Sequence, residues 1–319
     1  MTHADKVVAA LPSVARAELE GRLPAWLEPR WFCGLEEALR AGADAQVGWF
    51  DMDDRRAMAA AIVNATRMRW LNSMYAGVDG LPLGMLEQRG VVFTNGAGLN
   101  AVTIAEFVVM GMLTIAKGYR EIVRAQERRE WLTDAPGKRE LAGSRALLIG
   151  HGAIGSLVHE RLAAFGVEVV VARRTPERGS KCLGPDEWRS RLGLFDWVVL
   201  TVPATAETRS MVGEAEIAAM KPSAVLVNVG RASVVDQDAL VRALEQRRIA
   251  AAFLDVTDPE PLPADHRLWS LDNAHVTMHL SGRSQTGMLA RAADRFIENL
   301  ALYRGGQPLR HQVDLALGY

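Results

Sequence analysis

Residues 146–155 read Ala146-Leu-Leu-Ile-Gly150-His-Gly152-Ala-Ile-Gly155, an apolar run that breaks into G-x-G-x-x-G. The run suits a buried strand, and the segment after it, Ala153 to Phe165, has a helical pattern. Glycines at these positions allow a tight turn, a close approach of backbone to a pyrophosphate, and close packing of helix on strand. The helix N-terminus then offers unpaired N–H groups and the positive end of its dipole to an anion. Gly150, Gly152, Ala153, Ile154 and Gly155 are therefore the expected phosphate cradle of a dinucleotide. A glycine-rich turn alone is a weak signal, and its setting between strand and helix gives it weight. Some way on, Val169-Val-Val-Ala-Arg173-Arg174-Thr175 closes the next strand-like run, where the ribose of such a ligand is read.

Strand–helix alternation continues downstream. Val167–Ala172, Trp197–Val202, Ala224–Val229, Ala250–Val256 and Ala274–Met278 read as strands, and Asp236 stands where it would cap a helix over Ala239–Gln246. This is the pattern of a doubly wound dinucleotide-binding domain. Upstream, strand-like runs at Val7–Leu11, Trp31–Cys33, Gln46–Phe50, Arg69–Asn72 and Val91–Thr94, with a helical pattern over Ala57–Ala65, predict a smaller α/β unit. One long helix is expected between them, from about Val102 through Arg128, apolar in its first half and charged in its second. A last helix, Met288–Tyr303, leads to the C-terminus.

The 319 residues carry 37 basic and 38 acidic side chains and a net charge of −1, so no global field favours nucleic acid or an anionic membrane. Cys33 and Cys182 lie far apart without metal-type spacing, as reduced thiols in a cytoplasmic protein would. The opening Met1-Thr-His-Ala-Asp-Lys lacks the layout of a signal peptide, and no uncharged apolar run approaches the ~18 residues of a bilayer span. A soluble, cytoplasmic enzyme without nucleic-acid or membrane partners is expected.

Three charged groups stand at or just past strand ends of the second unit: Arg231, Glu260 and His279. Ligands of open α/β sheets bind beyond the carboxyl ends of the strands. Hydride transfer to a 2-keto acid builds negative charge on the carbonyl oxygen. Histidine suits the proton transfer, a carboxylate orients its ring, and arginine holds a carboxylate and polarises the carbonyl. His275 and His279 lie four apart, but no His-Glu-x-x-His pattern surrounds them, so no metal site is expected.

Further motifs stand in order: Tyr75-Ala-Gly77-Val78-Asp79-Gly, Thr94-Asn95-Gly followed by Ile104-Ala-Glu106, and Val202-Pro203-Ala-Thr205-Ala-Glu-Thr208. Then come Met220-Lys-Pro-Ser-Ala-Val-Leu-Val-Asn228-Val-Gly-Arg231, Leu254-Asp255-Val leading to Glu260-Pro-Leu-Pro263, and Thr277-Met-His279. With the glycine fingerprint, from about Trp70 to Gly282, the chain resembles the D-isomer-specific 2-hydroxyacid dehydrogenases, in their glyoxylate/hydroxypyruvate reductase-like branch. The resemblance implies a Rossmann cofactor domain over 101–286 and a smaller flavodoxin-like substrate domain over 1–100 with 287–319, usually in a homodimer. It implies that Arg231 binds substrate and polarises the carbonyl, that His279 is the general acid, and that Glu260 is its charge partner. Backbone N–H groups of Gly77 and Val78 would hold the substrate carboxylate. Asp255 would accept from the nicotinamide amide, with Val202, Pro203, Thr208, Val229 and Gly282 around the cofactor. Trp49, at a strand end, and Tyr75, beside the carboxylate loop, are candidates to touch the substrate side chain.

Departures from the family pattern are Ala232, where glycine is usual, Met278, where proline is usual, and Arg173, where NAD-preferring relatives carry a carboxylate. Arginine cannot accept the ribose hydroxyls and offers a fork to phosphate, so Arg173, Arg174 and Thr175 form an expected 2′-phosphate cradle. The expected activity is NADPH-dependent reduction of a small 2-keto acid, glyoxylate or hydroxypyruvate, with NAD possible as cofactor. The alternatives are an NAD-linked dehydrogenase acting on a larger substrate and a non-catalytic dinucleotide sensor.

Overall fold

Every ladder between the strands is parallel, and the apolar runs of the sequence supply them. The computed structural model describes residues 6–78, 80–175, 182–283 and 285–318. The chain divides into two units, Met1–Asn100 with Gln285–Tyr319, and Ala101–Ser284.

In the first unit, β1 (Val7–Pro12), β2 (Leu27–Phe32), β3 (Val47–Trp49), β4 (Trp70–Asn72) and β5 (Val92–Thr94) pair in the order β2-β1-β3-β4-β5. That is the flavodoxin-like order. One face buries Phe32, Phe50, Met58, Leu71 and Phe93. The other takes the C-terminal helix Met288–Arg304, whose Phe296 stacks on Trp70 with ring centroids 5.0 Å apart.

The second unit holds β6 (Arg145–Ile149), β7 (Glu168–Ala172), β8 (Trp197–Leu200), β9 (Val225–Asn228), β10 (Ala251–Leu254) and β11 (Ala274–Val276), ordered β11-β10-β9-β8-β6-β7. All of β8, β9 and β10 is buried, as expected of a parallel sheet covered on both faces. The chain leaves β6 between β7 and β8, the point where strand order reverses, so the glycine loop sits at the topological switch.

Three expectations need correction. The segment from Val102 through Arg128 is not one helix but two, Ala101–Lys117 and Tyr119–Arg128, bent by 66°. Gly118 between them has φ +61°, and a Cβ there would lie 2.8 Å from the Gly137 nitrogen. Close backbone packing of Gly118 on Gly137 requires the break. Strand β2 begins at Leu27, earlier than the Trp31 start. The later strands also end sooner than their apolar runs, since Val202, Val229, Val256 and Met278 already belong to the loops that follow them. No single helix among the described residues is long and apolar enough to cross a membrane.

Candidate active site and cofactor cradle

The loop after β6 is shaped by what its glycines lack. Gly150 has φ +102°, and a Cβ on Gly155 would lie 2.3 Å from the Gly150 carbonyl. A Cβ on Gly152 would meet nothing within 4 Å, which leaves open space at the N-terminus of the helix Ala153–Ala164. That helix has no side-chain cap, so its first N–H groups, on Ala153, Ile154 and Gly155, are left for an outside acceptor. These features fit a pyrophosphate.

Arg173, Arg174 and Thr175 follow β7 directly, with Arg174 and Thr175 on the surface. The Arg173 N–H donates to Leu183 O at 3.0 Å. Arg174 pairs with Glu207 at 3.5 Å. Across the switch, Thr208 Oγ1 donates to Pro203 O at 2.7 Å and accepts from the Thr205 N–H at 2.8 Å, folding the segment after Val202 into a tight loop. Val229 is buried, and a Cβ on Gly230 would lie 2.7 Å from Val202 O, so the turns after β8 and β9 touch through backbone.

β9, β10 and β11 are neighbours in register, with Asn228 opposite Leu254 and Leu254 opposite Val276. Arg231, Asp255 and His279 therefore leave the same sheet edge. Buried Asn228 holds the first turn: its Nδ2 donates to Arg231 O at 3.0 Å and its Oδ1 accepts from the Gly230 N–H at 3.1 Å. Ala232 opens a short 3-10 turn without left-handed φ, so the glycine usual there is not required. His279 Nδ1 lies 2.8 Å from Glu260 Oε2, and Glu260 Oε1 accepts from the Thr257 N–H at 3.1 Å. The side chains of His279 and Glu260 are 46% and 39% exposed, open enough to meet a ligand. With Nδ1 engaged, Nε2 is the nitrogen left to exchange a proton.

Asp255 is buried, and its oxygens accept from Thr277 Oγ1 at 2.7 Å, from the Ser281 N–H and from Ser281 Oγ. Its carbonyl accepts the His279 N–H at 2.6 Å. In this structure Asp255 thus anchors the turn that carries His279, a role the sequence did not reveal. Met278 and His279 have φ of +54° and +56°. Proline, locked near −65°, cannot adopt that conformation, so Met278 permits a turn that the family's usual residue would forbid. His275, one strand position into β11, is largely buried, and its pKa is pushed down to about 4 by burial and by Arg120 and Arg124. Those cations also disfavour a metal there. Among the described residues no group of three His, Cys, Asp or Glu could hold one.

In the first unit, Tyr75, Gly77 and Val78 lie on the loop after β4, with Val78 buried and Tyr75 and Gly77 half-buried. Trp49 does not meet the expectation of substrate contact. Its side chain is fully buried, packed on Phe296 at 5.3 Å, and its Nε1 donates to Asp51 Oδ2 at 2.7 Å. Buried Asp51 also accepts from Ser73 Oγ and the Met74 N–H, each at 2.6 Å. Burial raises the Asp51 carboxyl above its usual range despite those donors. Asp51 was missed because one acidic residue after an apolar strand reads as the start of a loop.

The family described as D-isomer specific 2-hydroxyacid dehydrogenase, NAD binding domain, matches residues 109–281. A glyoxylate reductase of Aeropyrum pernix is 34% identical over 254 residues, covering 76% of this chain and 75% of that one. Glyoxylate/hydroxypyruvate reductase B of Pectobacterium atrosepticum is 32% identical over 249 residues, covering 75% and 78%. A crystal structure of a D-isomer specific 2-hydroxyacid dehydrogenase from Xanthobacter autotrophicus, in complex with NADPH and MES, superposes with a TM-score of 0.79 at 26% identity, covering 99% of this chain and 100% of that one.

Proposed function

Because this chain belongs to the D-isomer specific 2-hydroxyacid dehydrogenases, an oxidoreductase family, we propose that it reduces a small 2-keto acid, glyoxylate or hydroxypyruvate first, to the D-2-hydroxy acid with NADPH. The observation that carries this reading is the 2.8 Å pair of His279 Nδ1 with Glu260 Oε2, at the sheet edge from which Arg231 also emerges. Gly150, Gly152 and the N–H groups of Ala153, Ile154 and Gly155 would hold the pyrophosphate of a nicotinamide dinucleotide, which would supply the hydride. Arg231, always charged, polarises the carbonyl oxygen and steadies the substrate carboxylate. His279 gives its Nε2 proton to that oxygen as charge develops, and Glu260 fixes the ring and stabilises the imidazolium. Gly77 and Val78 offer backbone N–H groups to the carboxylate, with Tyr75 beside them. A remaining lone pair of Asp255 serves the nicotinamide amide.

The preference for NADPH rests on Arg173, Arg174 and Thr175, which offer donors and no carboxylate to the adenosine ribose. The NADPH held by the Xanthobacter protein supports it. Cys33 and Cys182 are not joined in a disulfide, which suits a cytoplasmic enzyme, and we take the working assembly to be a homodimer.

NADPH absorbance followed with glyoxylate and with hydroxypyruvate, and again with NADH, tests the reading. NADPH should be favoured at least tenfold in kcat/KM, and Arg173→Asp should erase that margin. His279→Ala should cut kcat about 100-fold or more while NADPH still binds. Arg231→Ala should lower kcat and raise KM, and Glu260→Gln should keep partial activity with a displaced pH profile. Near-normal turnover in all three variants, or a tenfold preference for NADH, would overturn it.

A further inference from the structure

In a trans peptide the C=O and N–H groups point in opposite directions, so a group that grips the carbonyl also aims the N–H. Two such grips lie on the loop after β4. Ala76 O accepts from Asn95 Nδ2 at 2.8 Å, and Gly77 O accepts from an Arg55 guanidinium nitrogen at 3.5 Å. The N–H groups of Gly77 and Val78 belong to those same two peptides, and both peptides are trans. Among the described residues, neither N–H donates to any acceptor. Each N–H therefore points away from its anchored carbonyl, and two N–H donors one residue apart can share an anion.

We propose that Asn95 and Arg55 are positioning residues that hold two successive carbonyls and so aim the Gly77 and Val78 N–H groups at the carboxylate of a 2-keto acid. The proposal rests on the reading of Gly77 and Val78 given above and adds the groups that act through them. Asn95 is itself fixed. Its Oδ1 accepts from the Ala97 N–H at 3.1 Å, which turns the amide nitrogen toward Ala76. Arg295 donates to the Asn95 and Ala97 carbonyls at 3.1 and 2.8 Å and braces this loop from the C-terminal helix.

The two loops are also held together by backbone. The Gly96 N–H donates to Tyr75 O at 2.9 Å. A Cβ on Gly96 would lie 1.8 Å from Met74 O, so only glycine lets the loops come this close. Arg55 lies over the Tyr75 ring, 5.0 Å from its centroid, which holds the guanidinium at the loop. Asp51, at the loop's entry, fixes Ser73 and Met74. Beyond direction, the Arg55 charge polarises the Gly77–Val78 peptide and makes the Val78 N–H a stronger donor to an anion.

Asn95→Asp tests the first grip. It keeps the size and the Ala97 bond but sets an acceptor against the Ala76 carbonyl. KM for the keto acid should rise at least tenfold, kcat should fall less than threefold, and NADPH affinity and melting temperature should hold. The KM penalty should shrink as the pH is lowered into the range where the introduced carboxyl, set against a carbonyl oxygen, gains a proton and can donate again. A merely structural role shows no such recovery.

Arg55→Met should raise KM in the same direction, with Arg55→Lys regaining part of the loss. Oxamate, an unreactive carboxylate, titrated calorimetrically into the NADPH-loaded enzyme, reads the same N–H pair without turnover. A wild-type enzyme that neither reduces 2-keto acids nor binds oxamate removes the site reading, and this proposal with it. A wild type that does both, alongside Asn95→Asp and Arg55→Met variants that bind oxamate equally well, removes the positioning proposal alone. Parallel losses of oxamate affinity, NADPH affinity and melting temperature would also overturn it.

Discussion

A methyl group on Gly155 would press on the Gly150 carbonyl at 2.3 Å, whereas one on Gly152 would stand in open space at the helix N-terminus. The same substitution should therefore fail in two different ways. Gly155→Ala must displace backbone and should lower stability by about 2 kcal/mol or more. Gly152→Ala should leave urea unfolding unchanged yet weaken NADPH binding about tenfold or more, because its methyl group occupies the place of a phosphate. Fluorescence titration with NADPH reads the second effect, and equal affinity for wild type and Gly152→Ala would remove the phosphate from that position. The glycine turn was legible from spacing, and the places of Arg231, Glu260 and His279 past strand ends were legible from residue order. Asp51, Arg55 and Asn95 carried no such mark. Their part lies in which carbonyl or N–H each one meets, and that depends on loops brought together only by folding. Trp49 went wrong for the same reason: a strand-end aromatic looks available until Phe296 is packed against it.

Strand β11 is short, and its entry is held by a helix rather than by further ladder. Arg120, on the helix Tyr119–Arg128, donates one guanidinium nitrogen to the carbonyls of Leu271, Asp272 and Ala274, at 3.3, 3.3 and 2.8 Å. That contact exists because the chain bends at Gly118, a break that apolar periodicity could not reveal, since the pattern runs through it and the demand comes from Gly137. His275 lies beside this cation and Arg124, with Asp272 the opposing charge, and its folded pKa is about 4 against the ordinary 6.5. The sign follows directly. The unfolded chain binds the His275 proton first, so stability is full above pH 6.5 and is lost as the pH falls toward 4. Between pH 7 and pH 5 this one residue should cost about 2 kcal/mol of folding stability. Urea unfolding across that range should show a shallower decline in His275→Gln than in the wild type. Parallel curves would mean that the imidazole is as free to protonate in the folded protein as in the unfolded chain.

Each unit closes its own parallel sheet, and the alternation of strands and helices made both sheets legible because a parallel sheet covered on two faces needs nearly continuous apolar strands. What alternation leaves open is which apolar groups stay outside. On the second unit Trp131 is 93% exposed, and Tyr119, Met110 and Phe165 are 56%, 44% and 43% exposed. Met110, Leu113, Tyr119, Arg161 and Phe165 line one open groove, while Trp131 projects from the segment just after the second of the two bent helices. A projecting indole and an apolar groove on one unit are what a two-fold contact needs, since each copy offers both halves of the same fit. With a net charge of only −1, two copies repel each other little. Light scattering at about 10 µM should find twice the mass of the chain, and Met110→Glu combined with Trp131→Glu should return the single-chain mass with melting still cooperative. A wild-type protein that stays single at that concentration would remove the homodimer. A double variant that stays paired would move the contact to another face.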